Sequence, residues 1–127
     1  MKIRCEQDSI RLRLRKSELG QLRNEHKLST TVHIPGGKSL VWELVLDDTS
    51  SDITADLESH VLKVVLPLKD ALQWMDTETV GLEAFVPNGT PHQLHLLVEK
   101  DFPCKDRPEE DKLDFFTELA ATQPPLC

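Results

Sequence analysis

Residues 9–19 read SIRLRLRKSEL, and this stretch passes from a strand pattern into the start of a helix. Apolar and basic side chains alternate here, as in a strand with one face against a core and the other in solvent. The apolar positions are Ile10, Leu12 and Leu14, and the basic ones are Arg11, Arg13 and Arg15. Ser17 is a suitable helix N-cap, so we predict a half-buried strand followed by a short helix over Glu18 to Glu25.

Outward from this stretch, period-two patterns mark further strands. LSTTVHI (28–34) and SLVWELVLD (39–47) are predicted to form a hairpin, because the paired glycines between them permit the positive φ angles of a tight turn. The same order then returns in ITADL and HVLKVVLP (strands), LKDALQWM (a helix), and TVGLEAFV and HQLHLLVEK (a hairpin turning at Asn88-Gly89). The chain therefore has the order ββαββ twice.

An internal repeat would explain this order. Sliding the chain along itself until Ile3 lies opposite Ala55 matches apolar positions with apolar positions, without a gap, as far as Leu22 opposite Trp74. Identities are few, so the match concerns pattern, and any two ββαββ units share some of it. We predict an α+β, predominantly β fold in which two pseudo-repeats (1–47 and 52–100) form one barrel-like or two-sheet core.

Length and composition bound the domain organisation. A chain of 127 residues with 39% apolar side chains suffices for one core. Periodicity ends near residue 101, so we predict a single domain over 1–103 and an extended or partly disordered acidic tail over 104–127. No apolar run reaches the twenty or so residues of a membrane span, and the amino terminus lacks the apolar segment of a secretory signal. The three cysteines are an odd number with no short spacing between them, which suits a reducing compartment. Together these features favour the cytoplasm.

The charge is unevenly distributed along the chain. Residues 1–27 hold eight Lys or Arg and four Asp or Glu, whereas residues 99–118 hold four and eight, and the whole chain carries −7. A strongly acidic body disfavours nucleic acid as the partner, because phosphate binding depends on clustered cations.

Motifs that would carry catalysis are weak. GGKS (36–39) imitates a phosphate-binding loop, but Val32 stands where that motif needs glycine and a strand follows instead of a helix. The five histidines lack metal-ligand spacing. Lys105 and Arg107 could activate the Cys104 thiol by lowering its pKa, but an ordinary tail thiol is favoured because no histidine accompanies it in sequence. We therefore predict no catalytic, cofactor or metal residues, and enzyme activity is disfavoured.

Two resemblances follow from these residues. Residues 1–22 (MKIRCEQDSIRLRLRKSELGQL) and 97–111 (LVEKDFPCKDRPEED) resemble the terminal signatures of a family of small, uncharacterised bacterial proteins, a domain of unknown function. That resemblance implies a bacterial, cytosolic, single-domain protein. Residues 53–100, with VVLPLKDALQWM and ETVGLEAFV, are similar to the swapped-hairpin transition-state-regulator family, which implies a dimeric barrel that binds DNA. The basic residues that such proteins present to DNA are sparse in this half.

The basic side of the first strand has three interpretations. Arg11, Arg13 and Arg15 could simply be solvated side chains on the outer face of a half-buried sheet. They could instead bind a small anion, or they could bind the acidic tail. In the last case the tail would dock through Phe102, Cys104, Arg107 and Phe115. We expect a binding or interaction domain, monomeric or homodimeric, with a protein or small anion as partner; the alternatives are a DNA-binding regulator and an enzyme acting on an anionic small molecule at the arginines.

Overall fold

The computed structural model describes residues 1–102, which form two four-stranded β-sheets and two helices. The elements are, in chain order, β1 (Lys2–Glu6), β2 (Ser9–Leu14), α1 (Lys16–Glu25), β3 (Lys27–Ile34), β4 (Lys38–Asp47), β5 (Thr54–Glu58), β6 (Val61–Pro67), α2 (Leu68–Asp76), β7 (Gly81–Val86) and β8 (Leu94–Lys100). The predicted ββαββ order in each half is confirmed. Neither helix is long and apolar enough to cross a membrane.

Each half of the chain contributes one hairpin to each sheet. Sheet A has the order β1-β2-β8-β7 and sheet B the order β3-β4-β6-β5. The central pairs, β2 with β8 and β4 with β6, are parallel, whereas every hairpin pair is antiparallel. The sequence predicted either a barrel-like or a two-sheet core. The described residues form two sheets and no closed barrel.

The two halves also agree in register. In the first hairpins, the pairing of Ile3 with Leu12 corresponds to that of Ala55 with Val64, which is the alignment found in the sequence. In the second hairpins, Leu44 corresponds to Val98, because these residues pair in parallel with Val64 and Leu12 respectively. This second alignment is two positions longer, and the extra residues lie between α2 and β7, where the connection is longer than that between α1 and β3. An origin of the halves by duplication stays a prediction.

The core lies between the sheets and is closed by the helices. Burial of apolar area at about 25 cal/mol per Å² is the main favourable contribution to such a core. The fourteen buried hydrophobic side chains are Leu12, Leu14, Leu22, Leu28, Trp42, Leu44, Leu46, Val64, Leu66, Ala71, Trp74, Met75, Leu96 and Val98. No polar or charged residue among 1–102 is buried. The apolar positions of the opening stretch therefore face the core, as its alternation predicts.

The junction between β2 and α1 differs from the prediction. The strand ends at Leu14 and the helix begins at Lys16, so Arg15 is the N-cap and Ser17 lies inside the first turn. The Glu18 carboxylate accepts a hydrogen bond from the Arg15 backbone N–H at 3.0 Å, and this satisfies a donor at the helix start. An acidic side chain three residues into the helix replaces the serine that the sequence favoured.

The β3–β4 turn is confirmed. Gly36 and Gly37 have φ angles of 90° and 72°, which side chains with a Cβ rarely adopt. GGKS is thus the end of a tight turn and the first residues of β4, and it precedes no helix.

Candidate binding surfaces

The outer side of sheet A carries two of the three arginines that the sequence singled out, Arg11 and Arg13, and we call this surface the basic face. Strand register places side chains of one parity from all four strands on it. Its members are Lys2, Arg4 and Glu6 of β1, Ser9, Arg11 and Arg13 of β2, His95, Leu97 and Glu99 of β8, and Gly81, Glu83 and Phe85 of β7. Cations and carboxylates lie side by side across the strands.

Most cations on the basic face already have a carboxylate partner. Arg11 Nε lies 2.9 Å from Glu99 Oε1, and Lys2 Nζ lies 3.0 Å from Asp101 Oδ2. The Arg11 contact is an ion pair without hydrogen-bond alignment, since its Nε has no hydrogen-bond acceptor within residues 1–102. Arg4 pairs with Glu6 along the same strand. The positive charge that the sequence places on this face is therefore largely neutralised, by Glu99 and Asp101 from the far end of the described chain and by the neighbouring Glu6.

Arg13 is the exception on this face. It lies between Lys2 of β1 and Glu99 of β8, yet it forms no ion pair with any residue that the structure describes. Arg15, by contrast, has left the strand, is 72% exposed, and approaches Glu18 at 3.4 Å. The structure therefore brings Arg11 and Arg13 together on one surface and places Arg15 at the start of the helix.

An aromatic pair lies at the opposite end of the basic face. The rings of Phe85 and His95 stack at 4.5 Å between centroids, with planes 4° apart. His95 Nε2 is 3.1 Å from Glu83 Oε2, and Phe85 is 58% exposed. Sequence reasoning missed this group, because Phe85 and His95 are ten residues apart in the chain and the register of the β7–β8 hairpin was unknown.

The chain leaves the folded part beside the basic face. The Asp101 backbone N–H donates to Leu14 O at 2.8 Å, and Phe102 is 54% exposed at the end of the described residues. Cys104, Arg107 and Phe115, which the sequence assigned to tail docking, lie outside the described residues. The segment that follows Phe102 therefore begins next to Lys2 and Leu14.

A second surface, which we call the apolar edge, lies at the hairpin end of sheet B. It comprises Val32, Ile34, Leu40 and Leu57, whose exposed fractions are 41%, 43%, 48% and 68%. Val32 and Leu40 pair directly across β3 and β4. By strand alternation, all four side chains lie on the side of sheet B whose other residues face the core. The core-facing side of sheet B therefore continues into solvent, uncovered by residues 1–102.

The strand at this surface is also unusual among the four sheet edges. Natural edges carry charges that prevent pairing with other chains. Charged side chains lie inside the outermost strands β1, β5 and β7, whereas the only Lys, Arg, Asp or Glu of β3 is Lys27 at its first position. Within residues 1–102, the backbone of β3 pairs with β4 alone. The longest edge strand is thus the least protected one.

Metal binding gains no support from the described part of the chain. It contains no group of three or more His, Cys, Asp or Glu side chains that converge on a common point. The pKa of the Asp47 carboxyl is nevertheless lowered. The hydrogen bond from the Thr49 hydroxyl contributes most, followed by the hydrogen bond from the Thr49 backbone N–H. Asp47 thus accepts hydrogen bonds within a local turn at the end of β4, and these bonds account for the lowered pKa.

Comparison with known proteins supplies a family. A family model matches residues 1–119, and its description is a family of unknown function, DUF7009. No curated protein and no solved structure is significantly similar to the chain. The match continues beyond Phe102, the last described residue, and includes Glu109, Glu110 and Phe115.

Proposed function

We propose, for a chain that belongs to a family of unknown function (DUF7009), that residues 1–102 form a protein-interaction domain that binds an extended segment of a partner protein at β3. The observation that carries this proposal is the coincidence of an unprotected edge strand with the apolar edge. Backbone pairing with β3 supplies affinity, and alternate apolar side chains of the segment cover Val32 and Leu40.

The chemistry of the edge defines the segment. The consecutive residues from Leu28 to Ile34 carry no Lys, Arg, Asp or Glu, so an added strand meets no charge that it must desolvate. Strand addition places every second side chain of the incoming segment on the side of Val32 and Ile34. The partner therefore carries Val, Ile, Leu or Phe at alternating positions over about five residues.

A partner protein is favoured over a second copy of this chain. Each copy carries a net charge of −7, and like charges oppose association of two copies at low salt. Lys38 lies at the turn end of the β3–β4 ladder, so an acidic residue flanking the apolar segment of a partner would be attracted there. Lys27, at the other end, already pairs with Glu43 at 2.9 Å. An oligomer in solution would instead identify a second copy as the occupant.

The test uses the full chain and a displayed library of random decapeptides. We expect selection to enrich peptides with apolar residues at alternate positions. Val32→Lys should weaken their binding about tenfold or more, since it places a charge within the uncharged part of the pairing strand. The matched control is Thr54→Lys at the edge strand β5 of the same sheet, which should leave binding unchanged.

Two results would overturn the proposal. One is a library that yields no peptide with the alternating pattern, and the other is equal binding to wild type and to a folded Val32→Lys variant. Size-exclusion chromatography of the same samples separates a partner peptide from self-pairing. Because Val32 is 41% exposed, the lysine substitution adds little strain to the fold.

The other functions considered have weaker support. A small anionic substrate or DNA phosphate at Arg11 must displace Glu99, which already lies 2.9 Å from its guanidinium. A bacterial origin, a cytoplasmic location and a regulator of swapped-hairpin type stay predictions from the sequence.

A further inference from the structure

We infer that the basic face is the docking site of the chain's own acidic segment, residues 106–116, with Arg13 as its principal contact. This surface is distinct from β3, so the inference stands or falls independently of the proposed function. It rests on the charge of the face, on the position at which the chain leaves the domain, and on the composition of the segment.

Charge complementarity is the first argument. Residues 106–114 read DRPEEDKLD and contain five carboxylates against two cations. On the basic face, Arg13 lacks an ion-pair partner among residues 1–102 and has Lys2 beside it in the register. Among the described residues, Arg4 pairs with its exposed neighbour Glu6 alone, and such surface pairs are easily exchanged. The face thus offers cations to an acidic segment, with Arg11 already occupied by Glu99.

Geometry is the second argument. Asp101 is fixed to the end of β2 by its hydrogen bond to Leu14 O and by its ion pair with Lys2, so the segment starts at the Arg13 end of the face. The far end, at Phe85 and His95, is six residues back along β8, or about 20 Å. An extended segment from Phe102 to Phe115 spans up to about 45 Å, more than enough to cross the face.

The apolar residues of the face and the segment also correspond. Leu97 faces outward between Arg11 and Glu83, and Phe85 is 58% exposed beyond it. Phe115 and Phe116 follow the acidic residues, so they reach this end once the carboxylates lie over Arg13. Covalent attachment favours this contact over one between chains, since the effective concentration of a short tether is in the millimolar range.

The experiment measures the backbone order of residues 106–116 in the full chain by NMR relaxation. We expect order parameters above about 0.6 in the wild type, and values below that limit with Arg13→Glu or in about 1 M salt, where ion pairs are screened. Lys38→Glu, which changes the charge equally on the β3–β4 hairpin, is the matched control and should leave the segment ordered. Arg13→Gln serves if the glutamate variant does not fold.

Charge exchange distinguishes docking from a general effect of the substitution. Replacing Glu109, Glu110 and Asp111 by lysine should release the segment from wild-type Arg13, and combining that change with Arg13→Glu should restore its order. The inference is overturned if the segment is equally mobile in the wild type and in Arg13→Glu, or if it is ordered in both. Restoration in the combined variant supports it, and failure of restoration with both folds intact contradicts it.

Discussion

The start of β7 offers a sharp test of sheet A, because Gly81 lies too close to β8 for any side chain. A Cβ added at Gly81 would lie 2.5 Å from Val98 O, 2.8 Å from Glu99 Cγ and 3.1 Å from Glu99 Cα. Ordinary van der Waals contacts of a Cβ begin near 3.4 Å. The Glu99 side chain can rotate, at the cost of its ion pair with Arg11, but the Val98 carbonyl belongs to the backbone of a central strand.

Two opposing contributions set the effect of Gly81→Ala on the free energy of unfolding. Overpacking of this kind costs about 1–3 kcal/mol, while loss of glycine's freedom in the unfolded chain returns about 0.4–1 kcal/mol. We expect a net destabilisation of about 1–2 kcal/mol, which lowers the melting temperature by roughly 5–10 °C in a domain of this size.

Gly20→Ala is the matched control for the same chemical change. Gly20 lies inside α1, and a Cβ there would meet nothing within 4 Å. Alanine in a helix interior is favoured by about 0.5–1 kcal/mol, so this variant should be stabilised. Urea unfolding followed by the fluorescence of the buried Trp42 and Trp74 measures both variants. If Gly81→Ala stabilises the fold as Gly20→Ala does, the close approach of β7 to β8 is refuted.

Two further predictions concern charged groups. A double-mutant cycle of Arg11→Met and Glu99→Gln should give a coupling of about 0.2–1 kcal/mol in urea unfolding that decreases with salt, because both side chains are partly exposed; zero coupling at low salt would contradict the pair. Thr49→Ala should raise the pKa of the Asp47 carboxyl toward its ordinary value in an NMR titration, since it removes the hydroxyl donor, while Thr79→Ala should leave that pKa unchanged.

The sign of the Asp47 effect on stability follows from linkage. Its pKa is lowered in the folded state, so its contribution is present above the unfolded value and is lost as pH falls through the folded one. Thr49→Ala therefore costs stability at neutral pH, and the difference from wild type shrinks in acid.

Local patterns predicted the elements but not how they associate. Alternation in β2 identified the core residues Leu12 and Leu14 because the side-chain period of a strand depends only on its own sequence. The parallel pairing of β2 with β8 joins strands from opposite ends of the described chain, and no turn residue fixes it. Glu99 was therefore unrecognisable as the partner of Arg11.

Two residues competed for the N-cap position of α1. Ser17 has the preferred side chain for an N-cap, but placing the cap at Arg15 lets Glu18 accept from the Arg15 N–H and approach the Met1 amino group. Burial of Glu18 raises the pKa of its carboxyl, yet these hydrogen bonds outweigh burial and hold the pKa below its usual value. The contact between Glu18 and the Met1 amino group thus helps to place the N-cap at Arg15, whereas capping propensity alone favours Ser17.

The pseudo-symmetry of the fold indicates that the apolar edge is not a requirement of the topology. When the second hairpins of the two halves are aligned by their register, Val32 corresponds to Val86, which packs partly buried against the core. Glu83, which protects β7, corresponds in the same way to Ser29 in β3. The same strand positions are thus covered and charged in one half, but exposed and uncharged in the other. Because one topology accommodates both arrangements, the fold itself does not require the exposed edge, and this is what the proposed binding of a segment at β3 leads us to expect.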